Sequence, residues 1–208
     1  MLEGPLPIAH AFASWADLAG IAVFAASGSL AAARRRMTFV TFVFFATVTG
    51  TGGGTIRDLL IGAPVFWVHD GRALATCLIV ATLVWVTPAR LWRPRALDWF
   101  DAVGLAAYAV YGAAKALAYG VPPLPGAAMG VFTACLGGVI RDVLAAEPSI
   151  LLRPEIYVTA AALAAFLFVG LTLLGVASPL AAGVAALAGF GLRAAAIAKG
   201  LALPPYRG

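Results

Sequence analysis

Long apolar stretches run through the whole chain, separated by short charged or proline- and glycine-rich breaks. Seven are long enough to cross a bilayer as helices, at about 20 residues each. They fall near 15–33, closed by Arg34-Arg35-Arg36; 37–61; 68–87, closed by Pro88 and Arg90; 99–121; 124–146, opened after Pro122-Pro123; 154–175; and 179–199. The third has the shortest apolar core. The seventh follows Ser178-Pro179, read as a capping residue with proline at the first helical position. The pattern predicts an all-α polytopic membrane protein with seven transmembrane helices in a single domain over about 12–200.

Composition narrows the class further. Of 208 residues, 62% are hydrophobic and 11% charged, against roughly half and a quarter in soluble domains. That excludes a disordered chain, a nucleic-acid-binding arm and an ordinary cytosolic enzyme. The net charge of +5 therefore serves as a topology signal rather than a sign of a nucleic-acid partner. Arg34, Arg35, Arg36, Arg90, Arg93, Arg95, Arg153, Arg193, Lys199 and Arg207 fall on one side of the predicted spans, Arg72 and Lys115 on the other. The basic side is expected in the cytoplasm, with the N-terminus outside and the C-terminus inside. Trp92 and Trp99 flank the basic loop as interface anchors. Cys77 and Cys135 are expected as apolar thiols, and His10 and His69 as loop residues. The N-terminus lacks a basic region before its apolar start, so no cleaved signal peptide is expected. The alanine- and arginine-rich composition points to a bacterial inner membrane.

The chain matches itself when shifted by 84 residues. Between 15–64 and 99–148, 15 of 50 positions are identical without a gap, among them Asp17/Asp101, Gly28/Gly112, Thr49/Thr133, Gly53/Gly137, Gly54/Gly138, Arg57/Arg141 and Asp58/Asp142. Each copy holds three predicted spans. An odd number turns the second copy upside down relative to the first, the plan of inverted-repeat transporters. Repeat one is expected at about 15–89, repeat two at about 97–175, and a seventh helix at about 179–199.

The repeated unit carries the candidate chemistry. Gly52-Gly53-Gly54 precedes Arg57-Asp58, and Gly137-Gly138 precedes Arg141-Asp142. Glycine in a helix costs about 1 kcal/mol relative to alanine, so the runs are expected to unwind or kink their helices. Irregular backbone at membrane depth must be buried or line water, and its freed carbonyls coordinate cations. A cation site is thus expected near Gly52, Gly53, Gly137 and Gly138, with hydroxyls from Thr49 and Thr51. Charges inside a span cost on the order of 2.5–3.5 kcal/mol each. Arg57, Asp58, Arg141 and Asp142 should therefore face the bundle interior in pairs, with each other, across the repeats, or with Asp17 or Asp101. Lys115 is either a snorkelling lysine or a charge in the ion path. Gly28, Gly112 and the glycines of the seventh segment are expected to be close-packing positions. No Ser/His/Asp set, metal-ligand cluster or phosphate loop is recognisable, so an enzyme is not expected.

Seven spans, about 200 residues and the doubled Gly-Gly-x-x-Arg-Asp motif resemble the prokaryotic branch of the trimeric intracellular cation channel family, also labelled a glycine transporter. The resemblance covers about residues 12–200. It implies a homotrimer with one pore per protomer between the repeats, helices two and five kinked at the glycines, and monovalent cations, chiefly potassium, as permeant ions. No cofactor is implied beyond permeant potassium or sodium. Membrane lipids are the other expected partners. Animal members bind an inositol lipid through a Lys-Glu-Val motif. This sequence has Arg57 and Asp58 at that place, so phosphoinositide binding is not implied. An arginine in the path opposes cations unless Asp58 or Asp142 neutralises it. A secondary transporter of a small amino acid such as glycine is the alternative, since half-helix N-termini and arginines suit a carboxylate. A purely structural protein would explain the ion pairs but not the glycine runs.

Overall fold

A computed structural model describes residues 7–88, 91–92, 95–152 and 155–204. The described elements are helices α1 (Pro7–Arg34), α2 (Phe39–Leu60), α3 (Phe66–His69), α4 (Arg72–Val86), α5 (Ala96–Ala118), α6 (Pro123–Leu144), α7 (Val158–Leu173) and α8 (Ser178–Lys199), with a 3-10 turn at Ile150–Leu152. Among the described residues, one antiparallel bridge joins Glu155 to Ala202.

Most predicted segments overlap one helix, and the departures have local causes. The first helix begins at Pro7, well before Trp15, and takes His10 out of the expected loop. The third segment is split: α3 is one turn that includes His69, and α4 starts anew at Arg72. At the break, the Asp70 carboxylate accepts the Arg72 amide at 3.0 Å and pairs with its guanidinium at 2.6 Å. That guanidinium holds the Asp70 carboxyl below its usual range. Ser178 is not the cap of α8. Ala177 occupies that position, and Ser178-Pro179 fill the first turn. Arg90, Arg93, Pro154, Arg153 and Arg207 lie outside the described residues.

α1 packs on α2 and α4, and α5 packs on α6 and α7. The two sets meet through α2 against α6 and α1 against α5, and α8 lies against α5 and α7. Local geometry recurs at a spacing of 84. The Asp58 carboxylate accepts the Phe66 amide at 3.2 Å, and that of Asp142 accepts the Ile150 amide at 2.9 Å. The Ala63 amide donates to the Asp58 carbonyl at 2.8 Å, as Glu147 does to Asp142 at 3.0 Å. Left-handed turn residues fall at Gly62 and Ala146, and at Arg36 and Gly120. The turn therefore survives with alanine or arginine where the other copy has glycine.

Polarity is arranged inside out. Arg57, Arg141, Arg193, Asp58 and Asp101 are almost wholly buried, while Phe44, Ile79, Leu83, Phe132, Phe166 and Leu187 are exposed. Water would penalise that exterior, and hydrocarbon would not. α2, α6 and α8, at 22 residues each, are long and apolar enough to cross a membrane; α4 and α7 are apolar but shorter, at 15 and 16 residues. The core is built largely of alanine, including Ala25, Ala46, Ala109, Ala134, Ala161 and Ala165. Small side chains bring helix backbones close, which is how helices gain contact where no hydrophobic effect drives them together.

Candidate functional site

The glycine runs lie within unbroken helix. α2 continues through Gly52–Gly54 and α6 through Gly137–Gly138, and none of these glycines has a positive φ. The expected unwinding is therefore absent. The missing side chains serve close approach instead. A Cβ on Gly53 would collide with the Thr133 carbonyl oxygen, and one on Gly137 would lie 2.5 Å from the Thr49 carbonyl oxygen. These are equivalent positions in the two copies, so the contact is reciprocal: position 53/137 of each helix seats position 133/49 of the other. Packing at this crossing offsets the helix cost of glycine.

Each run has a further use. The ring of Phe66 lies over Gly54, where a Cβ would be 2.8 Å from Cε1. The hydroxyl of Tyr157 lies over Gly138, 2.9 Å from a Cβ there. Gly52 faces only the flexible tip of Ile140. Thr51 donates to the Thr47 carbonyl at 2.8 Å and Thr133 to that of Met129 at 2.6 Å, while the buried Thr49 hydroxyl has no hydrogen-bond partner. Gly28 and Gly112 pack as expected, against Thr49 and Thr133 respectively. In α8 only Gly189 does so, against Ala164. Gly183 and Gly191 have nothing within 4 Å.

Two charge clusters flank the crossing. In the first, Nε and Nη2 of Arg57 donate to Asp58 Oδ1 at 2.9 and 2.8 Å, and Lys115 Nζ reaches the same oxygen at 2.8 Å. The Arg57 guanidinium lies over the Tyr111 ring, 5.1 Å from its centroid, and Nη1 is buried without a partner. Asp17 does not join Arg57. It accepts the Tyr108 hydroxyl at 3.0 Å. In the second cluster, Arg141 donates to Asp142 Oδ1 at 2.9 and 2.8 Å and, through Nη1, to Asp101 at 2.6 Å and to the Ser27 hydroxyl. Asp101 is fully buried. Lys115 points inward to Asp58, which answers the snorkelling alternative. Both arginines thus pair with their own sequence neighbour, and Arg141 pairs with Asp101 as well, at the shorter distance.

The excess charge has opposite sign in the two clusters. Two cations share one carboxylate in the first, and two carboxylates share one cation in the second. Asp17 lies within electrostatic reach of Arg57 and Lys115 and offsets part of the first cluster's excess, so the field at the second cluster is the more favourable to a positive charge.

Arg193, counted above among the cytoplasmic charges, is buried. It pairs with Glu155 at 2.7 Å and lies over the Tyr157 ring, 5.2 Å from its centroid. Sequence reasoning also missed Ser27 and Tyr111. They occupy one repeat position, 27/111, and each meets the arginine of the other copy. Following the 84-residue register would have found them. Nothing comparable marks Arg193, which lies in α8, outside the repeat.

A family model described as glycine transporter matches the chain twice, over residues 14–89 and 98–173. The UPF0126 inner membrane protein YadS of Escherichia coli (strain K12) is 44% identical over 149 residues, 70% of this chain and 72% of that one. A membrane protein of Vibrio cholerae is 45% identical over 150 residues, 69% of this chain but only 62% of that protein, less than two thirds of its length. Among solved structures, a trimeric intracellular cation channel orthologue from Rhodobacter sphaeroides superposes with a TM-score of 0.85 at 43% identity, covering 91% of this chain and 99% of that one. A prokaryotic channel of the same kind, solved in 0.5 M KCl, gives 0.84 at 29% identity, covering 92% and 98%.

Proposed function

The chain belongs to the trimeric intracellular cation channel family, and from that premise we propose that it conducts monovalent cations, potassium first, through one pore per protomer between two inverted repeats of three helices with a seventh helix added. The observation that carries this reading is the reciprocal glycine crossing of α2 and α6 between two buried charge clusters. An inverted repeat brings equivalent positions of both halves to the centre of the membrane, where a path between them must run. Backbones in contact at Gly53 and Gly137 make a closed crossing. Conduction requires them to part, so these glycines, with Gly52, Gly54 and Gly138, act as hinge points. The helices are intact, so cations meet carboxylate and hydroxyl oxygens, from Asp101, Asp142, Thr49 and Thr51, rather than freed carbonyls. The working form is a homotrimer in a bacterial inner membrane, N-terminus outside and C-terminus in the cytoplasm.

The family model's description as a glycine transporter supports a second reading. In that reading the unpartnered Nη1 of Arg57 receives a substrate carboxylate. Reconstitution in a planar bilayer under a potassium gradient separates the two. Discrete current steps that reverse near the potassium potential support the channel. Electrical silence with saturable glycine uptake into matched liposomes refutes it in favour of transport.

A further inference from the structure

Beyond conduction, we propose that the cleft where α1 and α4 end and α2 and α5 begin is a binding site for an anionic phospholipid. The cleft encloses about 580 Å³. Arg34 and Arg36 stand exposed at its mouth, and Met37, Phe42, Trp85 and Trp92 form its walls. A charged mouth over an apolar interior matches one molecule with a phosphate at one end and acyl chains at the other.

Three further observations favour an anion at the mouth. α2 and α5 both start here, and neither N-terminus is capped by a side chain. Their first-turn amides and the positive ends of their dipoles suit a phosphate. The indole N–H of Trp92 is buried with no acceptor, an arrangement a phosphate oxygen would complete. Trp85 stands 46% exposed with Phe42 edge-on at 4.9 Å, as tryptophan does at a headgroup boundary. Two features oppose this: the carbonyl ends of α1 and α4 border the same cleft, and Asp98, in the first turn of α5, interacts electrostatically with Arg34. Arg36 therefore carries most of the attraction. Basic clefts between helices on the cytoplasmic side are where anionic headgroups are held. The phosphate could in principle be free in solution, but the apolar walls commit the site to lipid.

The test is lipid retention by the purified full chain in native mass spectrometry, with thermal melting as a second readout, on adding phosphatidylglycerol, phosphatidylcholine or inorganic phosphate. The expected result is preferential retention of phosphatidylglycerol with a raised Tm. That preference should fall about fivefold with Arg36→Gln and at least twofold with Trp92→Phe, which keeps the ring and removes the donor. Arg72→Gln, an exposed arginine far from the cleft, should leave it unchanged. Equal retention of the two lipids overturns the proposal. So does an Arg36→Gln variant that folds and keeps the full preference, or an equal rise in Tm with inorganic phosphate, which would make this a free-anion site.

Discussion

Replacing single glycines by alanine separates two accounts of the glycine runs. If they were there to break helices, alanine would stabilise every position, by about 0.8–1.0 kcal/mol each. The geometry says otherwise. At Gly137 an added Cβ lies 2.5 Å from the Thr49 carbonyl, about 0.9 Å inside an ordinary contact near 3.4 Å. At Gly53 the clash with the Thr133 carbonyl is closer still. Both partners are backbone and cannot swing away, so the helices must separate, and overpacking of this kind costs about 1–3 kcal/mol. Gly52 is the internal control. Its Cβ would meet Ile140 Cδ1 at 3.1 Å, the free end of a flexible side chain.

Gly53→Ala and Gly137→Ala should therefore be less stable than Gly52→Ala by about 2 kcal/mol, or roughly 4–8 °C in Tm at this chain length. One outward shift of the crossing relieves both clashes, so the double variant should cost less than the two singles added together. Thermal melting of the purified protein, followed by size-exclusion chromatography, reads this directly. Gly53→Ala melting at or above Gly52→Ala would refute close approach as the role of these positions and restore helix breaking.

Asp58→Asn removes the partner of both Arg57 and Lys115 and leaves charge buried, at a cost of about 3–5 kcal/mol. A sharply lower yield of folded protein is the expected readout, and a Tm near that of the parent would contradict the pairing. Ser27→Ala takes a hydroxyl from Arg141 and should cost about 1 kcal/mol. Tyr111→Phe keeps the ring under Arg57 and should cost nothing measurable, so equal losses from the two would count against the contacts as assigned. Arg193→Met should lower Tm and loosen the segment around Glu155. Hydrogen exchange at residues 155–157 unchanged from the parent would show that Arg193 does not anchor it.

Most segment positions were legible in the sequence because apolar periodicity is a local signal, and the 84-residue register reappears in the matching turn hydrogen bonds of Asp58 and Asp142. Pairing was not legible, because it depends on how helices face each other. Adjacent residues on a helix diverge by about 100°, yet Arg57 and Arg141 each fold back onto the carboxylate beside them. A long guanidinium spans that angle, and in Arg141 its free end also reaches Asp101 on α5 and Ser27 on α1. Glycine runs carry the same ambiguity: propensity alone says break, and only the opposing backbone at Thr133 and Thr49 shows that they are seats. Arg193 departs from the expected exposed anchor for a related reason. Its place in the last turns of α8 suggests an exposed charge, but Glu155 and Tyr157 come from a different part of the chain and bury it.

Lys115 is the charge by which the two buried clusters differ in their own copies. Its equivalent in the first copy is Ala31, so the lysine is an addition to the shared plan. Its side chain is 17% exposed, against 1% or less for Arg57 and Asp58. Removing it leaves Asp58 with both Arg57 hydrogen bonds and the Phe66 amide, so the loss of stability in Lys115→Ala should be small, about 1 kcal/mol. Its effect on a passing cation should be large. At an effective dielectric of 20, a unit charge 4 Å away contributes about 4 kcal/mol, and less in proportion at greater distance. Taking it out cancels the positive excess of the first cluster while the negative excess around Arg141 persists. Lys115→Ala should therefore raise single-channel conductance or open probability several-fold at nearly unchanged Tm, whereas Arg57→Ala should lower Tm as well. If Lys115→Ala conducts like the parent, then its amine does not stand beside the ion path, and the route between α2 and α6 must pass on the other side of Asp58.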